Sequence, residues 1–245
     1  PSGICIEMQY QGGKSRIAGV IAAKIRELHP TATEIWEPFC GGGAVTLALA
    51  KVGFRVHASD NHEDLILMWQ ALMRGETEPF ADVTEEEFKS LKTAESSARR
   101  GFVRFGASFG GDFNGGFGRH HRGDGDSKRQ YVWQDSQRSL QKMKQYVEQV
   151  CFTRADYRQI PDTALSYLDP PYYGVYAYQG RQFDHDVFWS WVKQRSGPTF
   201  ISEATGPDDL DIVWRHSKWN KTNKLADSVQ LREERLYYFP GRRSK

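Results

Sequence analysis

The chain has 245 residues, 39% of them hydrophobic and 26% charged, with a formal net charge of +2. That length and composition exclude a disordered or fibrous chain and fit one large globular domain, with or without an insertion. No apolar run is long enough to span a bilayer, and three scattered cysteines, Cys5, Cys40 and Cys151, exclude a disulfide scaffold and a CxxC zinc site. Pro1 to Tyr10 lacks the apolar centre of a secretory signal, so a reducing, cytoplasmic setting is the expectation.

In chain order, Lys14 to Leu28 carries apolar residues at helical spacing, and Pro30 lies just beyond as a stop. Glu34 to Phe39 reads as a strand that enters the run Gly41-Gly42-Gly43, and Ala44 to Val52 as a helix. Phe54 to Ser59 reads as a second strand and Glu63 to Met73 as a second helix. Strand–helix–strand–helix order predicts a mostly parallel α/β sheet. The pattern breaks near Arg74. Thr84 followed by Glu87 is a capping box for a short helix through Leu91, Gly106 to Gly125 reads as a glycine- and aromatic-rich loop, and Ser136 to Val150 as a helix. Strands at Cys151–Arg154, Ala164–Leu168 and Thr199–Glu203, with a helix at His185–Arg195, then resume the alternation. Lys218–Leu225 and Val229–Phe239 predict a closing hairpin. The division is therefore one α/β domain, residues 1–73 and 151–245, interrupted by an insert at 74–150.

The small net charge hides an asymmetry. Residues 99–145 hold ten Lys/Arg against four Asp/Glu, and residues 215–245 hold nine against three, each a net +6. Two basic segments on an acidic body point toward a polyanion.

Glycines between a strand and a helix remove the Cβ atoms that would keep a ligand away from backbone. Asp60 ends the next predicted strand, 19 residues after Gly41, where one carboxylate can accept from the two adjacent hydroxyls of a ribose. The run is GGGAVT rather than GxGxxG, so the NAD fingerprint is not met. Gly12-Gly13-Lys14-Ser15 resembles the end of a P-loop, but Met8 stands where that motif needs its first glycine. Lys14 is then a cation at a helix start, facing a carboxylate or phosphate.

Asp169-Pro170-Pro171-Tyr172 carries the most chemistry. Two prolines end the preceding strand because neither supplies an N–H, and the second holds Pro170 extended. An acid and a ring are fixed at a strand's carboxyl end, where open α/β sheets bind ligands. The Asp169 carboxylate and the Pro170 carbonyl form adjacent acceptors for a planar ligand carrying an NH₂ group, with Tyr172 to stack on it.

Tyr10-Gln11-Gly12-Gly13-Lys14, Glu37-Pro38-Phe39-Cys40-Gly41-Gly42-Gly43, Ser59-Asp60-Asn61 with Asp64-Leu65-Ile66, and Asp169-Pro170-Pro171-Tyr172, in that order, resemble the Dam-type DNA adenine-N6 methyltransferases. The resemblance implies a Rossmann-like, S-adenosyl-L-methionine-dependent methyltransferase fold with an inserted, mostly helical target-recognition subdomain. It implies cofactor contacts from Tyr10, Gly13, Lys14, Glu37, Phe39, Cys40, Gly41, Gly43, Asp60, Asn61 and Asp169, with Lys14 toward the methionine carboxylate and Asp60 on the ribose. Asp169, Pro170 and Tyr172 would hold an adenine flipped out of duplex DNA. In the insert, Arg99, Arg100, Arg104, Asn114, Arg119, Arg122, Lys128, Arg129 and Arg138 would meet DNA, and Phe109, Phe113, Phe117, Tyr131 and Trp133 would stack or wedge. A monomer without a metal is expected, of the kind seen among phage and orphan methyltransferases or in restriction-modification pairs. A cytosine-N4 methyltransferase shares the chemistry of an exocyclic NH₂, although Ser is usual there where Asp169 stands, and a catalytically inactive DNA-binding relative is the third reading.

Overall fold

Strand and helix alternate over the first third: α1 (Ala18–Leu28), β1 (Glu34–Glu37), α2 (Ala44–Lys51), β2 (Arg55–Asp60) and α3 (Glu63–Met73). The middle third adds α4 (Glu85–Ser90), α5 (Ala98–Gly106), a short antiparallel ribbon of β3 (Arg119–His120) with β4 (Gln130–Tyr131), and α6 (Val132–Met143). Alternation returns with β5 (Val150–Arg154), β6 (Ser166–Leu168), α7 (His185–Val192) and β7 (Thr199–Glu203), and the chain closes with β8 (Asp211–Lys221) and β9 (Val229–Phe239). These come from a computed structural model that describes residues 13–120, 130–172, 183–221 and 229–242.

Seven strands form one sheet in the order β5-β2-β1-β6-β7-β9-β8. The first five are parallel; β9 runs antiparallel to both β7 and β8. The chain winds outward from β1 through β2 to β5, then returns to β6 on the other side of β1. The gap between the carboxyl ends of β1 and β6 is therefore the topological switch point, where an open sheet of this type leaves a crevice. The α/β expectation holds, with the sheet resolved as parallel strands closed by an antiparallel hairpin.

Most predicted boundaries stand within two residues, but α1 starts at Ala18 rather than Lys14 and α7 ends at Val192 rather than Arg195. Three further differences have physical reasons. Helix α6 starts four residues before the predicted Ser136, because the Gln134 side chain turns back to accept from the Tyr131 N–H and caps the helix there. Its predicted C-terminal turn is a 3₁₀ segment, Lys144–Gln149, with Tyr146 at non-helical angles. Strand β8 begins at Asp211, well before Lys218, because pairing with β9 extends the hairpin; residues 222–228 lie outside the described residues.

Helix α5 was not anticipated in the sequence, although its apolar residues fall on one face. Ser97 caps it by accepting from the Arg100 N–H at 3.1 Å. Phe102, Val103 and Phe105 are buried on one face, each worth about 1.5–3 kcal/mol of transfer free energy. Gly101 lets the helix lie directly on α3, since a Cβ there would stand 2.2 Å from the Asp64 carbonyl oxygen. Side chains from the insert, including Phe102, Phe105, Trp133 and Met143, share one core with Ile35, Leu65 and Trp69.

That close approach gives a direct test. Gly101→Ala must push α5 off α3, and overpacking of this kind costs roughly 1–3 kcal/mol. The melting temperature of the variant, followed by circular dichroism, is expected to fall by several degrees.

Candidate active site

Carboxyl groups end four neighbouring parallel strands. Asp60 closes β2, Glu37 closes β1, Asp169 follows β6 and Glu203 closes β7. The parallel register that sets Trp36 opposite Ser166 brings the Glu37 loop and the Asp169 corner to the same edge.

The glycine turn is tied to Asp60 from both sides. The Gly41 N–H donates to Asp60 Oδ2 at 3.2 Å, and the His62 N–H to Oδ1 at 3.0 Å. Trp69 Nε1 donates to the Gly41 carbonyl at 3.0 Å, and the Cys40 N–H to the Ser59 carbonyl at 3.0 Å. Gly43 has a φ of +71°, and a Cβ on it would lie 2.9 Å from the Trp69 ring, so both conformation and space require glycine. Burial raises the Asp60 carboxyl to about 6 against the pull of its backbone donors. Burial also lifts Glu37 well above the usual carboxylate range, reinforced by the charges of Asp169 and Asp60. Glu37 Oε2 is buried and has no hydrogen-bond partner among the described residues.

Lys14 reaches the corner from the turn before α1. Its Nζ lies 2.8 Å from Asp169 Oδ1 and 3.5 Å from Glu234 Oε1, and sits 4.4 Å from the centre of the Tyr172 ring. Burial alone would depress this ammonium, but Asp169 and Glu234 outweigh it and hold its pKa above the ordinary value. Asp169 is raised to about 6 by burial, with Lys14 opposing. Tyr172 donates its hydroxyl to Glu234, and burial with the nearby carboxylates drives its pKa far upward. Glu203 is raised to about 7 by burial; its Oε1 accepts from the Ala204 N–H at 2.8 Å, and its Oε2 is buried without a described partner.

Glu37, Gly41, Gly43, Asp60, Lys14, Asp169, Pro170 and Tyr172 thus gather around one edge. Lys14 meets Asp169 in this structure. Cys40 is buried beside Asp60 and Glu37, and burial pushes its thiol far up. The Phe39 ring turns into the smaller core, 5.4 Å from Tyr157 and 6.1 Å from Phe188. Asn61 is exposed just past Asp60. Gly13 opens the described chain, and Tyr10 lies outside the described residues. The chemistry of the donor set fits a cationic nucleoside: ribose hydroxyls for Asp60, and a positive charge for a cleft rich in carboxyls. Glu234 was not singled out in the sequence. The signal available was a Glu pair, Glu233-Glu234, in the last strand, but which member faces the cleft depends on a register that only the folded hairpin fixes.

The insert residues divide sharply. Arg99 grips both Glu87 oxygens at 2.7 and 2.6 Å and three backbone carbonyls. Arg100 pairs with the buried Asp64 and donates to the Leu91 and Lys92 carbonyls. Arg104 lies 3.3 Å from Asp112 and 3.9 Å from Asp64. Arg99 ties α5 to α4 and the loop before it, while Arg100 and Arg104 also tie the insert to Asp64 on α3. Arg119 pairs with Glu85 and Arg138 with Asp135, yet both stay exposed, at 46% and 58%. Asn114 is exposed and its amide donates to Asp112 at 3.2 Å. Arg122, Lys128 and Arg129 lie outside the described residues. Phe113 and Trp133 are buried, and Phe113 and Phe117 pack against Phe88; Phe109 is 66% exposed. It rides a turn closed by the Phe109 N–H on the Gly116 carbonyl, with Gly110, Gly111 and Gly116 at positive φ.

Residues 10–114 match the family model described as D12 class N6 adenine-specific DNA methyltransferase. No curated protein matches the chain. Among solved structures, a candidate RNA methyltransferase from Pyrococcus horikoshii superposes with a TM-score of 0.48 at 7% identity, covering 96% of this chain and 89% of that one. The precorrin-6y C5,15-methyltransferase from Geobacter metallireducens gives 0.42 at 8% identity, covering 96% and 97%. A glycopeptide N-methyltransferase complexed with sinefungin gives 0.34 at 10% identity, covering 93% and 73%.

The Lys14–Asp169 pair predicts a pH effect on stability. A carboxyl raised on folding stabilises fully below its unfolded pKa near 4 and loses that contribution as pH rises through about 6. Removing the cation in Lys14→Met raises Asp169 further, so the loss grows. Urea midpoints of Lys14→Met are expected to drop between pH 4 and pH 8 by more than those of the unmodified protein. Parallel midpoints would contradict the pair.

Proposed function

We propose that this chain, whose residues 10–114 match a family model described as D12 class N6 adenine-specific DNA methyltransferase, uses S-adenosyl-L-methionine to methylate the exocyclic amino group of adenine in duplex DNA. The observation that supports this most strongly is the Asp169 corner: an acid and two prolines at the carboxyl end of β6, across the switch-point crevice from the glycine turn of β1.

In this reading Asp60 accepts from the ribose hydroxyls of the cofactor, using lone pairs left over after Gly41 and His62. Gly41 and Gly43 let the ligand lie against backbone, and Glu37 gives its buried carboxyl a cationic neighbour. The cofactor supplies a methyl group on a positively charged sulfur.

The amino nitrogen of adenine is a poor nucleophile because its lone pair is spread into the ring. Asp169 and the Pro170 carbonyl each accept one of its N–H groups, which favours a pyramidal nitrogen with its lone pair facing the methyl. Asp169 would stabilise the positive charge that develops on that nitrogen as it takes the methyl group the cofactor supplies. The methylated nitrogen then holds a surplus, acidic proton, and the hydrogen-bonded Asp169 is placed to take it. Tyr172 supplies a face for the base to stack on. A base within a duplex cannot reach such a crevice, so it is turned out of the helix. Phe109, exposed on its glycine turn, is a fitting wedge for the vacated space, and Arg119 and Arg138 are the described insert arginines free enough of the core to meet phosphate.

Incubation with duplex DNA and isotope-labelled methyl donor, followed by digestion and mass spectrometry, is expected to place the label on N6-methyladenine. Label on cytosine, or none, overturns the reading. Asp169→Ala should lower kcat by 100-fold or more, in the range of a lost charge-stabilising group, with the circular dichroism spectrum unchanged. Asp60→Ala should instead raise KM for the methyl donor first. At saturating donor, the rate should fall as pH drops through about 6, where Asp169 becomes protonated.

A further inference from the structure

The base pocket is closed by a residue from the far end of the chain. We infer that Glu234, on β9, is a positioning residue that fixes the Tyr172 ring and the Lys14 ammonium against Asp169; this rests on the adenine-methylation reading above.

Four contacts carry it. Tyr172 donates its hydroxyl to Glu234 Oε1, and the same oxygen lies 3.5 Å from Lys14 Nζ. Lys14 in turn meets Asp169 at 2.8 Å and lies over the Tyr172 ring at 4.4 Å. The four side chains close a ring of interactions drawn from the turn before α1, the loop after β6, and β9. Glu234 itself is held by register: β9 pairs with β7 so that Glu203 faces Arg235, and with β8 so that His216 faces Glu234. A strand paired on both sides cannot shift its side chains without breaking ladder hydrogen bonds.

A stacking ring needs a fixed plane. Tyr172 follows two prolines that stiffen its backbone, but its side chain still turns about two bonds. The hydroxyl bond to Glu234 removes that freedom before the base arrives, so the ordering cost is met in folding rather than in binding. The same carboxylate shares the Lys14 charge with Asp169. Without it, Lys14 would pair more closely with Asp169 and compete with the amino group for the carboxylate oxygens.

A double-mutant cycle with Tyr172 tests the inference. Glu234→Ala and Tyr172→Phe, which keeps the ring but loses the donor, should each lower kcat about tenfold, with KM for the methyl donor within twofold of its starting value. The double variant should be no slower than the slower single variant. Glu234→Gln keeps an acceptor for the Tyr172 hydroxyl and should recover to within about threefold. Near-normal kcat in both Glu234→Ala and Glu234→Gln overturns the inference, as do losses that multiply in the double variant. If Glu234→Ala does not fold, the Tyr172→Phe and Glu234→Gln arms decide: an unaffected Tyr172→Phe enzyme, or a Glu234→Gln enzyme as slow as Asp169→Ala, counts against it. An unmodified protein that labels no adenine sinks the underlying reading instead, a result separate from an active protein indifferent to position 234.

Discussion

Carboxyl groups buried side by side repel one another, and this sheet sets them at the ends of four consecutive parallel strands. Glu37, Asp60, Asp169 and Glu203 all hold their protons more tightly than an exposed acid does, with burial the leading cause each time. Such an edge is tolerable in the folded protein because backbone donors serve Asp60, a backbone N–H serves Glu203, and Lys14 serves Asp169. Part of the demand is unmet: Glu37 Oε2 and Glu203 Oε2 have no hydrogen-bond partner among the described residues. A positively charged ligand entering the crevice would relieve the repulsion and draw the raised pKa values back down, so binding and proton release are linked.

The insert follows a different logic. Its basic composition suggests a uniform polyanion surface, but part of that charge works internally. Arg99 and Arg100 serve as struts, crossing from α5 to Glu87, to Asp64 and to carbonyls of the preceding loop. Guanidinium suits this role because its planar fork meets several acceptors at once. Among the described residues, Arg119 on the ribbon and Arg138 on α6 stay exposed. The insert also shares its core with the sheet, which couples the orientation of any recognition surface to the crevice.

Much of this was legible in the sequence. Hydrophobic periodicity located α1, α2 and α3, the Thr84 cap located α4, and the two strands that frame the switch point were recognisable from apolar runs ending in glycine or proline. The glycine turn, Asp60 and the Asp169 corner were readable because each needs particular residue types: no Cβ, a carboxylate, a missing N–H. Helix α5 was missed because it is short and runs straight into the glycine-rich loop at Gly106, and the close packing served by Gly101 and Gly106 is visible only in the fold. Glu234 was hidden because its role depends on a pairing across the sheet, which no local pattern reports. The fates of Arg99, Arg100 and Arg104 were equally illegible, since a basic residue looks the same whether its acceptor is a phosphate or a neighbouring helix.

The order of strands has a consequence for how the protein comes into being. Lys14 and Asp169 are 155 residues apart, and their third partner sits in β9, which lies between β7 and β8. A nascent chain still lacking that strand has the motifs but not the assembled pocket. The contacts that join Lys14, Asp169, Tyr172 and Glu234 therefore exist only where both ends of the chain have met at one sheet edge.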